Sequence, residues 1–447
     1  MRAFSFANVL NMASHAAIAT TIATGVVLSG TIATSTAAAN PLGANSPVVE
    51  SNNALGFRLM QESLKSEKTA KNVLVSPISA HYALSMALNG TDGKTRTQFI
   101  ETLGYEATSD VTGINKENQN LLIALTKEPL TDAERKALPA WEKLPAVVSI
   151  QNSIWATNGE TSKTPYTFKK SFVSQMKAGY GVAETKSLDF KDPKSADVVN
   201  KWTSDMTNKM IPEIIDADGM KDLLWILLNT TYIEAQWAMP FEKPFDGDFT
   251  KLDGKKMKAQ MIYRNKVARF ADHPDYQVAE IEMAKSSLRA YVVLPKNAAD
   301  FETLQVDQTA GIWTKATWSE IFTNLVSQPG KLTMPKFTFE YGVEMKEDCK
   351  VTKGLGVNFL FKNSANFDEM DGPGSPPSKV GIIKQNTKIE WDENGVKAAA
   401  ATLVGGVARG MAPRPSFEMV VDRPFYLAIQ DSATGAFFFL GQVIDPK

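Results

Sequence analysis

The feature that most constrains this chain is the order of its secondary-structure patterns along residues 50–447, a stretch with no internal repeat and no dividing linker. Helical patterns are concentrated in the first half of this stretch and strand patterns in the second half. Such segregation is typical of an α+β architecture rather than of a regular βαβ series. Because length is only a soft guide to domain number, we predict a single large α+β domain over residues 50–447.

The best-bounded helix is predicted directly after Ser76. Ser76 can cap the first turn, Pro77 suits the first helical position, and apolar residues recur at helical spacing until Asn89. Two loop-like stretches, rich in turn-forming residues, interrupt the domain at 127–146, around a short predicted helix at 132–138, and at 371–377.

Strand patterns are of two kinds. A buried-type apolar run covers Leu223 to Ile233, and polar and apolar residues alternate over 388–391. We expect helices around a large mixed sheet with Leu223 to Ile233 in its centre. Two hairpins are also predicted, namely 277–283 with 288–294 and 425–430 with 436–443.

Charge balance and cysteine content limit the possible partners and cross-links. The chain has 48 Lys and Arg against 49 Asp and Glu and no run of five or six like charges, so we expect no nucleic-acid partner. Its single cysteine, Cys349, cannot form an internal disulfide, and stability must come from packing. We interpret Cys349 as a buried small side chain rather than as a nucleophile.

The N-terminal residues have the composition of an export signal. Only Arg2 is charged before Glu50, and residues 16–39 are rich in Ala, Ile, Thr, Val and Gly and end in three alanines. We predict a signal peptide over 1–39, a flexible leader over 40–49, and a secreted or periplasmic protein without stable membrane insertion after cleavage. The alternative is a retained membrane anchor, to which the interleaved Thr and Ser are poorly suited.

Several segments, spread over nearly the whole domain and in the same order, resemble the serpin family of serine protease inhibitors, in the form of an exported member of bacterial type. These segments are 72–79 with its continuation at 90–99, 228–232 with Trp237 and 240–241, 332–337, 393–402, 422–425 and 439–443. The resemblance implies the serpin fold, with smaller sheets beside the large one and an exposed reactive-centre loop at about 393–414. It also implies a monomer that is not an enzyme and that needs no cofactor or metal.

The reactive-centre loop implied by the resemblance carries the functional residues. In serpins such a loop can enter the main sheet as an extra strand, and strand alternation then turns Val396 and Ala400 towards the core and Lys397 outward. The loop hinge comprises Glu393, Gly395, Val396, Lys397, Ala398, Ala399, Ala400, Ala401 and Thr402. Four further residues are expected where the sheet opens, namely Ser76, Ser79, Asn229 and Gln385.

Family spacing places the cleaved bond between Arg409 and Gly410. An arginine before the bond suits a trypsin-like serine protease, which carries an Asp in its specificity pocket. Arg414 is the competing site, but the proline that follows it opposes cleavage. The expected function is therefore that of a suicide substrate, which traps a trypsin-like serine protease as a covalent acyl complex by loop insertion.

Four positions depart from the family pattern. Val396 stands where Thr or Ser is usual, Lys397 where Glu is usual, Gln385 where His is common, and Glu234 where Lys is usual. These departures leave open a serpin that does not inhibit and that serves as a binding module.

An enzyme is the alternative from another class. His15 lies in the predicted signal peptide, so only His81 and His273 could supply a histidine-based site. The segment Gly93-Lys94-Thr95 is preceded by Leu88 where a phosphate loop requires its first glycine. A hydrolase with a pair of carboxylates is left open by residue types alone.

Overall fold

The fold is described from a computed structural model that covers residues 46–139, 142–159, 165–306, 311–396 and 416–447. These residues all belong to one compact unit, Asn40–Lys447. Its helices are α1 Pro47–Ser66, α2 Pro77–Asn89, α3 Gly93–Thr102, α4 Val111–Leu125, α5 Asp132–Ala137, α6 Lys170–Tyr180, α7 Lys194–Met206, α8 Ala217–Met220, α9 Asp300–Val306, α10 Lys315–Asn324 and α11 Lys350–Gly354, with a 3₁₀ turn at Asn358–Phe361.

The strands form two sheets. They are β1 Val73–Val75, β2 Val147–Thr157, β3 Val182–Leu188, β4 Trp225–Gln236, β5 Phe245–Thr250, β6 Lys256–Asp272, β7 Tyr276–Glu282, β8 Leu288–Pro295, β9 Val326–Pro335, β10 Phe337–Met345, β11 Ile383–Trp391, β12 Gly395–Val396, β13 Phe417–Val420, β14 Phe425–Asp431 and β15 Phe437–Val443. A nine-stranded sheet has the order β1-β15-β14-β8-β7-β6-β9-β13, with β5 paired to β6. A six-stranded sheet has the order β10-β11-β12-β4-β2-β3.

Both sheets are mixed, and the predicted α+β class is confirmed. The pairs β2 with β3 and β9 with β13 are parallel, whereas the other ladders are antiparallel. Both predicted hairpins are present as β7 with β8 and β14 with β15. The predicted central strand lies inside the six-stranded sheet as β4, but it begins at Trp225 because Leu223 still belongs to a turn that hydrogen-bonds back to Met220.

The predicted helix after Ser76 is confirmed as α2. The Ser76 hydroxyl accepts a hydrogen bond from the backbone N–H of Ser79 at 3.3 Å, which is a serine N-cap. Helix α2 packs against β4 on one side and β15 on the other, and it therefore lies between the two sheets. The start of this helix is thus fixed against the strand that the sequence placed at the centre of the sheet.

The first helix begins before the predicted start of the domain. Helix α1 starts at Pro47, so residues 47–49 are helical and do not belong to a flexible leader. Val48 and Val49 are buried in the main core, and this burial stabilises the first turn.

A second, smaller core lies where α7 covers the six-stranded sheet. Trp202 of α7 packs edge-on against Trp155 of β2, with ring centroids 6.3 Å apart and an interplanar angle of 77°. Phe190, Val199 and Leu228 belong to the same group of buried side chains. Helix α7 is therefore fastened to β2 and β4 mainly by apolar packing.

No helix in the described ranges is both long enough and apolar enough to cross a bilayer. Those residues also contain no group of three or more His, Cys, Asp or Glu side chains placed to hold a metal ion.

Candidate functional site

The six-stranded sheet contains a gap between β4 and β11. Within the part of the chain that the structure describes, the backbone pairing between these two strands runs through β12 alone, which is two residues long. Val396 pairs with Trp391 on one side and with Ala235 on the other, and Gly395 pairs with Gln236. Beyond this short bridge, the described residues supply no strand between β4 and β11. We call this region, bounded by β4, β11 and the start of α2, the sheet gap.

The sheet gap is narrow and mostly apolar. It encloses a cavity of about 90 Å³, lined among others by Ala80, Leu228, Thr231 and Ile389. Protein interiors are close-packed, so a cavity of this size can accept only small side chains unless its walls separate. One additional strand with small residues would complete the sheet here.

The chain turns at Asp392 and enters the sheet gap at the end where Gly395 and Val396 pair with its walls. The Asp392 carboxylate accepts hydrogen bonds from the backbone N–H groups of Asn394 at 2.7 Å and Gly395 at 3.1 Å. The Trp237 indole N–H donates to the Asp392 carbonyl at 2.8 Å, and the Trp237 backbone N–H donates to the Asn394 carbonyl at 2.8 Å. The entry of the chain into the gap is therefore fixed by backbone bonds.

The two hinge residues that follow are closely packed. An added Cβ on Gly395 would overlap the Ala235 carbonyl oxygen and would lie 2.9 Å from the Gln236 Cα, so only glycine fits this approach to β4. Val396 is only 4% exposed and faces the core, as strand alternation predicted. Glu393 pairs with Lys336 at 3.2 Å, and both side chains keep partial solvent contact.

A cluster of aromatic side chains packs beside the hinge. The Trp237 and Trp391 rings lie 4.6 Å apart between centroids, and Trp391 stacks on Phe337 at 5.5 Å. Trp391 is the last residue of β11 and Trp237 directly follows β4, so this cluster connects the two walls of the gap at the end where β12 lies.

Near the start of β11, Gln385 forms hydrogen bonds to the start of α2. Its side-chain oxygen accepts from the Ser76 backbone N–H at 2.9 Å, and its side-chain nitrogen donates to the Ser76 carbonyl at 2.8 Å. Gln385 and Ser76 are both buried. A glutamine thus satisfies two buried backbone groups at the position where histidine is common in the family pattern.

The β4 wall is tied to the same helix start by a different chain of hydrogen bonds. The Ser79 hydroxyl donates to the Thr231 hydroxyl at 2.9 Å, and Thr231 in turn donates to the Asn229 side-chain oxygen at 3.3 Å. Asn229 donates onward to Asn152 of β2 at 2.8 Å. The structure therefore brings all four predicted sheet-opening residues to one place, with Asn229 linked through Thr231.

Thr231 and Asn152 were not identified from the sequence. Thr231 lies two residues from Asn229 and therefore points to the same face of β4, so strand alternation could have found it. Asn152 had no such signal, because its partnership depends on the register between β2 and β4.

A segment between α7 and α8 crosses the sheet gap on the face opposite to α2. We call residues 207–215 the strap. The Asn208 side chain donates to the Tyr232 hydroxyl of β4 at 3.1 Å, and the Asn386 side chain of β11 donates to the Glu213 carbonyl at 2.9 Å. The strap therefore connects both walls of the gap.

The remaining predicted residues divide into two groups. Lys397, Ala398, Ala399, Ala400, Ala401, Thr402, Arg409, Gly410 and Arg414 lie outside the described residues. Cys349 is described, and the prediction for it needs correction. Its side chain is only partly buried, because it caps α11 and accepts from the Thr352 backbone N–H at 3.4 Å.

The two histidines do not form a catalytic arrangement in the described part of the chain. His81 is fully buried, and its described ring contacts are the Asn118 amide at 2.9 Å and the hydroxyls of Ser51 and Ser85. Burial lowers the pKa of His81 to about 4, so the ring is neutral at pH 7. His273 stacks on the buried ring of Tyr276, and its ring nitrogens lie 3.6 Å from Asp275 and 3.5 Å from Glu320.

A mixed six-stranded sheet in which β12 bridges β4 and β11 over only two described residues, together with a nine-stranded sheet and surrounding helices, defines an α+β protein with an incomplete sheet. Residues 50–446 match the family model described as Serpin (serine protease inhibitor). The chain belongs to the serpin family, whose members are in general protease inhibitors.

Relatives from distant organisms are similar over almost the whole domain. Glia-derived nexin of Mus musculus is 28% identical over 403 residues, which cover 88% of this chain and 91% of the relative. Serpin-Z2A of Triticum aestivum is 25% identical over 411 residues, which cover 88% and 94%.

Solved structures give the same fold. Serpin48 of the insect Tenebrio molitor matches with a TM-score of 0.73 at 23% identity, covering 90% of this chain and 99% of that structure. Native protease nexin-1 with heparin matches at 0.70 and 22%, covering 90% and 100%. A complex of thyroxine-binding globulin with thyroxine matches at 0.73 and 22%, covering 89% and 98%. The predicted serpin fold is therefore confirmed.

Proposed function

We propose that this chain inhibits a trypsin-like serine protease by trapping it as a covalent acyl complex. The observation that carries the proposal is the sheet gap, whose walls are bridged, among the described residues, by the pairing of Gly395 and Val396 alone. The loop after Val396 would enter the gap as a strand between β4 and β11 once it has been cut. Its residues 398–401 are all alanine, and small side chains suit a gap over a close-packed core.

The chemistry is the first half of proteolysis. The protease serine oxygen attacks the Arg409 carbonyl carbon, the bond to the Gly410 nitrogen breaks, and that nitrogen leaves as an amine after it receives the serine proton. Arg409 is then joined to the protease by an ester. Loop insertion carries the ester and the enzyme along the sheet before water can hydrolyse the ester, and the enzyme is distorted.

The energy for this movement would come from the fold. The upper and lower ties of the gap, at Trp391 and Gln385, hold β11 in place before cleavage. A native state kept from a more stable form by a barrier is a case of kinetic stability. Inserting a strand satisfies backbone groups of both gap walls, and this gain would drive the enzyme's displacement.

We further propose that the chain is exported after cleavage near Ala39 and acts as a monomer in a periplasm or outside the cell. The proposal rests on the composition of residues 1–39. N-terminal sequencing of the protein recovered from the producing cells tests it. An intact N-terminus on membrane-bound protein would favour the retained anchor instead.

The central experiment is incubation with trypsin followed by denaturing electrophoresis. We expect an SDS-resistant adduct, and mass spectrometry of the released C-terminal fragment should place the cut between Arg409 and Gly410. The Arg409→Glu variant should form no adduct, whereas Arg414→Glu, which makes the same charge change five residues later, should behave as wild type.

Two results would contradict the proposal. A cut at Arg414 with adduct formation would move the reactive bond. Cleavage of the loop with no adduct, and with no gain in heat resistance of the clipped protein, would replace inhibition by the non-inhibitory binding module.

A further inference from the structure

The register of β12 assigns neighbours to the loop residue that follows it. Gly395 pairs with Gln236, and Val396 pairs with Ala235 and Trp391. In an antiparallel ladder, each further residue of one strand meets the preceding residue of its neighbour. One step of insertion therefore places Lys397 opposite Glu234 of β4 and Glu390 of β11 at the same time.

Both glutamates are available on the correct face of the sheet. Val396 faces the core, so alternation turns residue 397 to the opposite face, where Tyr232 and Glu234 also point. Glu234 accepts a hydrogen bond from the Tyr232 hydroxyl at 2.7 Å. Glu390 lies 3.8 Å from Lys388, which has a closer partner in Glu340 at 3.0 Å.

Glu234 and Glu390 both lie near enough to Tyr232 to affect its pKa. Burial raises the pKa of Tyr232, and the negative charges of Glu234 and Glu390 raise it further. Carboxylates from both walls of the gap therefore act on the same phenol. Glu234 and Glu390 carry the same charge, so a cation placed between β4 and β11 at this level would be attracted by both.

We propose that Glu234 and Glu390 receive the Lys397 ammonium group, and that this contact guides the first step of loop insertion beyond the hinge. The inference rests on the proposed inhibitory function, which it deepens by naming positioning residues. The lysine stem can lie along the sheet while its charged end reaches both carboxylates near the surface.

The contact also accounts for two departures from the family pattern. Residue 397 is usually Glu in that pattern and residue 234 is usually Lys, whereas this chain has Lys397 and Glu234. The two signs are exchanged together, and the register makes these positions direct neighbours. Either order gives attraction across the ladder, while a single exchange gives repulsion.

A charge-exchange series tests the inference with the full chain and trypsin. The readout is the partition ratio, which is the number of inhibitor molecules cut for each protease molecule trapped. Lys397→Glu should raise this ratio about tenfold, equivalent to about 1.4 kcal/mol of lost stabilisation in the inserting state. Adding Glu234→Lys to that variant should restore most of the trapping.

Salt provides an independent readout. Raising the NaCl concentration from about 0.05 to about 0.5 M should raise the partition ratio of the wild type, because it screens the attraction, and should lower that of Lys397→Glu, because it screens the repulsion. The matched control is Lys186→Glu on the edge strand β3, which changes net charge equally beside Glu184. This control should trap as the wild type does.

The outcomes separate this inference from the proposed function. If the wild type forms no adduct and its clipped form gains no heat resistance, the proposed function fails. If the wild type traps trypsin but Lys397→Glu traps equally well, or if Glu234→Lys does not rescue it, the receiving role of Glu234 and Glu390 is wrong. Thermal unfolding of each intact variant shows whether a loss reflects folding instead.

Discussion

Gly395 is the residue at which the hinge can be perturbed most selectively. In Gly395→Ala, the new methyl group would overlap the Ala235 carbonyl oxygen, which belongs to the backbone of β4 and cannot rotate away. We therefore expect β12 to separate from β4. The separation would expose Val396, which is now only 4% exposed, and would break the short ladder at the top of the gap.

The cost can be worked out from these contacts. Exposing a buried valine costs about 1.5 to 3 kcal/mol, and each ladder hydrogen bond contributes about 1 kcal/mol net. Together these losses amount to about 4 kcal/mol, which would lower the population of the seated hinge roughly a thousandfold. The rest of the fold should keep its stability, because these contacts lie at the end of the sheet.

The substitution should increase hydrogen exchange at the hinge and decrease the trapping of trypsin. The backbone amides of 393–396 should lose protection, and trypsin should cut the loop at least as fast as in the wild type. Trapping should fall, because insertion requires residue 395 to pass β4 at the same place. The control is Gly113→Ala in α4, where an added Cβ meets no atom within 4 Å. Retained protection at 393–396 together with normal trapping would refute this reasoning.

Three further predictions concern the gap and the core. Gln385→Leu leaves the buried Ser76 N–H without its side-chain partner at a cost of about 2 to 3 kcal/mol, and the thermal midpoint of the intact protein should fall by a few degrees. Ala400→Arg should turn inhibitor into substrate, since a charge would enter the packed gap on insertion; an undiminished adduct yield would contradict this. His81 has a folded-state pKa of about 4 against about 6.5 when unfolded, so its contribution to stability is complete above pH 6.5 and is lost as the pH falls towards 4, by about 3 kcal/mol. His81→Gln should flatten the curve of thermal midpoint against pH over that range; an unchanged curve would contradict the prediction.

Local sequence signals predicted those elements whose partners are close in the chain. The Ser76-Pro77 start of α2 and both hairpins were correct, because capping and alternation are short-range effects. The start of the domain was placed at residue 50 and the preceding residues were assigned to a leader, although Ser46-Pro47 repeats the Ser-Pro pattern at the start of α2. Helix α1 was not predicted.

The gap itself could not be derived from local pattern. The apolar run of β4 predicts a buried strand, but nothing in it indicates that β11 stands one strand away. The strap contacts β11 through the backbone carbonyl of Glu213, which accepts a hydrogen bond from Asn386. Every residue has such a carbonyl, so the sequence could not indicate which one Asn386 would bind. The exchanged charges at positions 234 and 397 were visible in the sequence, yet they become neighbours only through the register of β12.

Because the strap is joined directly to α7, the intrinsic fluorescence of Trp202 in that helix should respond to loop insertion. The strap begins directly after α7, and we expect a strand that enters the gap beneath it to shift the contacts that the strap makes through Asn208 and Asn386. The resulting shift of α7 would change the spacing of Trp202 from Trp155, now 6.3 Å between ring centroids. Stopped-flow fluorescence should therefore time insertion directly and without a label, and Trp202→Phe should remove most of the signal.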